Sequence, residues 1–272
     1  MDSENAANRR PRWGALPGLF SVNFAIIGFA AGGLNGLLSV GGGIVIVPGL
    51  IFLRKVNIRV AVATSLGTVL LMSLAALGGH LLISGFVMSP AGTGLLILAG
   101  VAGARVGAWL LLRLPQRTIF LLFAGFTVLA SSHLIALAFG FAPPVMGDAP
   151  PLWSYPAIGF VSGVFSGLLG LGGGGLAVLA FSILFHTPVL SGLPVALALN
   201  VTNSLAGVVL QSKQKLVLWG AVWRMFPAAL LGVGVGVALA VVLPPDALRV
   251  VFAAFYLIVG FRMLRRGLRS DP

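Results

Sequence analysis

The chain is apolar over stretches long enough to cross a lipid bilayer, and two of those stretches are interrupted by runs of glycine. A membrane-crossing helix needs about 20 apolar residues. Uninterrupted runs of that kind lie at 60–83, 91–112, 118–140, 194–211, 218–243 and 247–262. Residues 18–53 are apolar throughout but carry Gly41-Gly42-Gly43 and Pro48, and residues 155–187 carry Gly172-Gly173-Gly174-Gly175. The piece after each glycine run has about 11–13 residues, which reaches only about halfway across the hydrocarbon core. Each broken region therefore reads as a hairpin that enters the membrane and returns to its starting side. Only 8% of residues are charged against 58% hydrophobic, where a soluble domain carries about a quarter charged residues. The chain lacks the polar surface to face water all round.

A net charge of +12 would suggest nucleic acid in a soluble protein. In a membrane protein it reports orientation instead, because lysine and arginine collect on cytoplasmic loops. With the N-terminus inside, 15 of the 17 basic residues fall inside, leaving Arg249 outside and Arg105 within the membrane. The expected layout is a cytoplasmic tail at 1–17, a first membrane repeat at 18–140, and an extracytoplasmic loop at 141–154. A second repeat at 155–263 and a cytoplasmic tail at 264–272 complete it. The polar start, Met1 to Arg12, has no cleavage site after a short apolar core, so no removable signal peptide is expected. There is no cysteine, which excludes disulfides, thiolate metal sites and cysteine nucleophiles.

The two halves repeat one another. Gly28-Phe29-x-x-Gly32-x-x-x-Gly36-Leu37-Leu38-x-x-Gly41-Gly42-Gly43 matches Gly159-Phe160-x-x-Gly163-x-x-x-Gly167-Leu168-Leu169-x-x-Gly172-Gly173-Gly174. Further on, Gly103 and Gly107 match Gly232 and Gly236, and Leu114-Pro115 matches Leu243-Pro244. The first unit starts inside and the second outside. The expected fold class is thus an all-α polytopic membrane protein of two inverted repeats, each a re-entrant broken-helix hairpin plus three transmembrane helices. Secondary transporters with this plan bind their substrate at the repeat interface near the midplane.

At these repeats the chain resembles the TauE/SafE sulfite exporter family of anion transporters. The carrying residues are Gly36-Leu-Leu-Ser-Val-Gly-Gly-Gly-Ile-Val-Ile-Val-Pro48, then Ala61-Val-Ala-Thr-Ser-Leu66, and the second copy Gly167-Leu-Leu-Gly-Leu-Gly-Gly-Gly-Gly175. The resemblance covers nearly the whole chain. It implies export or uptake of sulfite, thiosulfate, sulfoacetate or related organosulfonates. The second copy departs from the first in having Leu179 for Pro48, and Asn200, Thr202, Asn203 and Ser204 in place of Thr64-Ser65.

Broken helices present backbone N–H groups and about half a positive charge at each helix start, which suits an anion. Glycine at Gly41, Gly42, Gly43, Gly172, Gly173 and Gly174 lets the backbone approach a ligand, though close helix packing favours the same residue. Asn35, Ser39, Thr64, Ser65, Ser166, Asn200, Asn203 and Ser204 lie near the breaks and can donate hydrogen bonds to sulfonate-like oxygens. The asparagines are the stronger candidates, having more polar groups to satisfy when buried. Arg105 is the one basic residue inside a span, about 12 Å along its helix from Arg113. It is expected either to assist an anion or to snorkel to the interface. All five acidic residues fall in tails or loops, so no carboxylate proton relay is expected within the membrane. No cofactor or metal site is expected. The expected partners are a small anionic substrate and membrane lipids, not nucleic acid, with a homodimer left open. An anion channel shares the same pattern. A serine protease does not fit, since Ser166-Gly167 lacks a glycine two residues before the serine.

Overall fold

The computed structural model describes residues 22–39, 41–84, 90–138, 150–185, 192–242 and 245–269. The tails 1–17 and 270–272, the loop 141–149, His186, and the side chains of His80 and Arg249 lie outside the described residues. Among the described residues ten helices follow in order: α1 Val22–Leu38, α2 Gly43–Arg54, α3 Ile58–Ser84, α4 Pro90–Arg113 and α5 Gln116–Ala138 form the first half. The second half is α6 Ser154–Leu169, α7 Gly174–Phe185, α8 Leu193–Lys213, α9 Trp219–Val242 and α10 Pro245–Arg269. No strand is present among the described residues. Among the described residues four helices are long and apolar enough to cross a membrane: α3 over Ile58–Gly79, α4, α8, and α9 over Trp219–Leu239. The helices α5 and α10 reach 23 and 25 residues and pack along one another. The last turns of α10 carry Arg266 and Arg269, so the helix runs past the boundary expected at 263.

Backbone geometry stops the first helix of each half. Gly41 and Gly42 have φ of 83° and 64°, and Gly170, Gly172 and Gly173 have φ of 75°, 90° and 94°. These angles lie in the left-handed region, which glycine enters without the penalty a Cβ brings. Ser39, at φ 54°, takes the same conformation in the first break. Pro48 does not break the chain as expected. It sits inside α2, where its ring removes one backbone donor and the helix continues. Chain direction reverses after the first break, because a Cβ on Gly42 would lie 2.6 Å from the Ala31 carbonyl and one on Gly49 would lie 2.9 Å from Ile27 Cγ1. The returning helices α2 and α7 have 12 residues each, or about 18 Å.

The halves are held together by exchange of glycine faces. A Cβ on Gly159, Gly163 or Gly167 of α6 would strike the carbonyls of Leu96, Gly100 and Ala104 on α4 in turn. A Cβ on Gly28, Gly32 or Gly36 of α1 would strike those of Met225, Ala229 and Val233 on α9. Both series advance in the same sense, so each pair runs parallel, with small residues admitting backbone against backbone. The Gly103 and Gly107 faces of α4, and the Gly232 and Gly236 faces of α9, answer from the other side. These glycines act in packing. The core helices α3 and α8 cross antiparallel: Gly207 of α8 meets Leu66, whereas Asn200, about two turns earlier, lies with Val69 around Gly172.

Candidate functional site

The two breaks meet in the middle of the protein. A Cβ on Gly41 would collide with the Leu171 carbonyl, and one on Gly43 with the Gly170 carbonyl. The first break therefore lies backbone to backbone on the second. Around this crossing Asn35, Ser39, Thr64, Ser65, Ser166, Asn200, Asn203 and Ser204 are all wholly buried. Eight polar side chains without solvent must each be satisfied, by the protein or by something else.

Four of them are engaged by the scaffold. The Asn35 Oδ1 accepts the Gly41 N–H at 3.0 Å, and its Nδ2 donates to Ser73 Oγ at 3.2 Å. The Asn200 Oδ1 accepts the Gly174 N–H at 2.6 Å while its Nδ2 donates to the Ser39 carbonyl at 2.8 Å. One amide thus caps α7 and reaches across to the other half. Ser65 makes a comparable link, its hydroxyl donating to the Gly170 carbonyl at 2.8 Å. The Thr64 hydroxyl accepts the Leu218 N–H at 3.1 Å and so holds the start of α9.

The other four are not engaged. Among the described residues, both amide atoms of Asn203 and the hydroxyls of Ser166, Ser204 and Ser39 have no hydrogen-bond partner. Asn203 and Ser166 meet at the second break, and Ser39 lies in the first. A Cβ on Gly173 would lie 2.7 Å from Asn203 Nδ2 and 3.1 Å from Ser166 Cβ, and one on Gly100 would lie 2.7 Å from Asn203 Oδ1. An unpaired buried amide costs about 1–3 kcal/mol, so nothing in stability alone explains Asn203. Its amide and the Ser166 hydroxyl sit where α7 begins, and α7 contributes the positive end of its dipole there. This arrangement can hold one desolvated oxyanion through neutral donors, with no full positive charge to retain it.

Pairing the halves through their glycine runs changes the correspondence that the sequence suggests. At the first break the Cβ of Gly42 would face Met72 Cε at 2.9 Å, in the place that Asn203 takes beside Gly173. The counterparts of Asn200, Asn203 and Ser204 are thus Val69, Met72 and Ser73, not Thr64-Ser65. Asn203 and Ser166 place two of the unengaged groups at the second break, and Ser39 places one at the first. Ser162 and Ser73, both wholly buried, belong to this layer and were missed. Ser73 was findable as the partner of Ser204 once α3 and α8 are registered on the glycine runs. Gln211, buried and donating to the Gly167 carbonyl at 3.1 Å, had no signal beyond its polarity.

Arg105 is not in this cluster. It is exposed on α4, on the face with Leu98, Val106 and Trp109, while Ala104 and Ala108 turn inward. Its place fits snorkelling, not anion binding at the breaks.

A family model described as the sulfite exporter TauE/SafE matches residues 5–134 and 155–272. The chain belongs to the TauE/SafE sulfite exporter family. It is also similar to the probable membrane transporter protein YunE of Bacillus subtilis, at 27% identity over 273 residues, covering 92% of this chain and 99% of that protein. No solved structure matches the chain. The protein is a membrane transporter of this family, and the polar cluster lies where its two glycine-broken regions cross.

Proposed function

We propose that the protein is a secondary transporter that exports a small anion of the sulfite, thiosulfate or organosulfonate type across the inner membrane. The observation that carries this reading is Asn203, wholly buried with both amide atoms unpartnered, beside Ser166 and the start of α7. Three oxygens of a sulfonate-like group can accept from those donors and from first-turn N–H groups beyond the Gly174 N–H that Asn200 caps. Neutral donors favour turnover, since a full positive charge in the same place would bind a dianion too tightly to release it.

The halves are read as inverted repeats. The parallel pairs α4 with α6 and α9 with α1, together with antiparallel α3 and α8, support that reading. Such pairs are expected when the second half starts from the opposite side of the membrane. The basic ends of α2, α8 and α10 then face the cytoplasm, and both termini lie there. Among the described residues the one acidic residue is Asp246, in the first turn of α10, so the charge of the substrate supplies the drive. A divalent anion leaving a cell held at 100 mV, negative inside, gains about 4.6 kcal/mol.

Proteoliposomes loaded in turn with radiolabelled sulfite, thiosulfate, sulfoacetate and taurine test the reading. A valinomycin-set potential negative at the loaded face should quicken efflux of at least one anion, without a proton or sodium gradient. Counterflow of unlabelled substrate separates a carrier from a channel. Flux that ignores the potential and stops without sodium would overturn the export mechanism.

A further inference from the structure

A cavity of about 500 Å³ opens at the basic end, apart from the buried cluster, between the C-terminal end of α2 and the start of α9. Its lining includes Arg54, Lys55 and Arg224 together with Phe24, Leu50 and Val217. The apolar part is the floor: Phe24, Leu50 and Val217 are 3%, 0% and 9% exposed. The charged part is the wall. Arg54 and Arg224 are only half-exposed. Arg54 stacks on the Phe24 ring at 4.1 Å, and among the described residues neither arginine forms an ion pair. A guanidinium withdrawn from water beside an apolar floor lowers its energy most by receiving an anion.

The size and chemistry of the space select the ligand. An oxyanion of a few atoms would leave most of it empty, whereas pockets of about 300–1,000 Å³ suit ligands of drug size. We infer that this cavity is a separate binding site for a soluble amphipathic anion. Its anionic group is held by Arg54 and Arg224, and an apolar body of several carbons lies on Phe24, Leu50 and Val217. Lys55 marks the mouth: it is exposed, and its φ of 52° turns the chain sharply away at the end of α2. The floor also touches the central layer. Leu218 lines the cavity and its N–H is the one that Thr64 accepts, so an occupant sits directly under the α3–α9 contact. The proposal concerns binding and does not depend on the transport reading.

Calorimetric titration of the full-length protein in zwitterionic phosphatidylcholine nanodiscs, with hexanesulfonate as probe and methanesulfonate as its tail-less control, tests it. Hexanesulfonate is expected to bind, and methanesulfonate to bind at least about tenfold more weakly, because each buried CH2 is worth about fourfold. R54Q/R224Q is expected to weaken hexanesulfonate about tenfold or more, while N203A leaves its Kd unchanged. Where the double variant does not insert, R224Q alone serves, with R224K expected to retain binding. Equal affinity of the two sulfonates, or wild-type Kd in the arginine variants, would overturn the proposal. So would loss of hexanesulfonate binding on adding phosphatidylglycerol to the nanodiscs, which would give the cavity to a lipid headgroup. Loss of binding in N203A would also overturn it, by moving the probe to the central cluster.

Discussion

Two asparagines three residues apart on α8 should fail in different ways. Asn200→Ala removes an acceptor from the Gly174 N–H and a donor from the Ser39 carbonyl, at 2.6 and 2.8 Å. Side-chain hydrogen bonds in membranes average about 0.6 kcal/mol and reach about 1.7, so the two together give about 1–3 kcal/mol. The stranded N–H and carbonyl are wholly buried, and each unpaired group costs about 1–3 kcal/mol by the desolvation route. The two ranges overlap at about 2–3 kcal/mol, which is the loss expected for Asn200→Ala. Asn203→Ala removes no hydrogen bond among the described residues and relieves an unpaired amide that costs about 1–3 kcal/mol, so its stability should not fall below wild type. What it loses is a contact to a charged ligand, worth about 1.5–3 kcal/mol, or at least about tenfold in Kd. Unfolding by sodium dodecyl sulfate in mixed micelles reads the first quantity, and substrate titration in proteoliposomes reads the second. Wild-type stability in Asn200→Ala, or an equal loss of stability in both variants, would refute the division between scaffold and site.

Three other outcomes follow from the same geometry, and a fourth from the distribution of basic residues. Gly163→Leu places a side chain against the Gly100 carbonyl and should prevent α4 and α6 from closing, seen as loss of monodisperse protein on size exclusion. Gly173→Ala adds a Cβ 2.7 Å from Asn203 Nδ2 at a φ of 94°, a strain of about 1–2 kcal/mol. It should abolish transport in protein that still inserts; wild-type flux would remove the second break from the site. Arg105→Leu should leave substrate affinity unchanged, since its side chain is exposed away from the cluster. An affinity loss of about tenfold or more would return it to the anion path. Cysteines replacing Ser3 and Ser270 should both label from the cytoplasm and one at Gly147 from outside, whereas termini labelling from opposite sides would discard the layout.

The helices were legible because apolar run length and glycine punctuation act locally. The expected spans fall on α3, α4, α5, α8 and α9 with small shifts at the ends, and on α10, which runs on from 262 to Arg269. Pro48 was misread because a proline inside a helix and a proline that ends one look alike until neighbours fix the backbone. The polar layer was legible as a set: the named asparagines, serines and Thr64 are all buried. Its division into engaged and unengaged groups was not, because that depends on which backbone groups the opposite half brings within reach. Asn200 and Asn203 look equivalent in sequence, yet one caps a helix and the other has no partner. Arg105 was ambiguous for a different reason. Small residues flank it on α4, and only the packing of α6 shows which side of that helix is covered.

The exchange of glycine faces also dictates an order of events during synthesis. The stripe on α1 at Gly28, Gly32 and Gly36 has its partner on α9, near the far end of the chain. A ribosome must therefore deliver α1 into the lipid long before anything exists to cover it. Until then the notch left by the missing side chains is filled by acyl chains, which must be squeezed out when α9 arrives. A chain cut after α5 would keep that notch open and also lack the partner for α4. Two separately expressed halves should consequently be short-lived alone and recover only when made together.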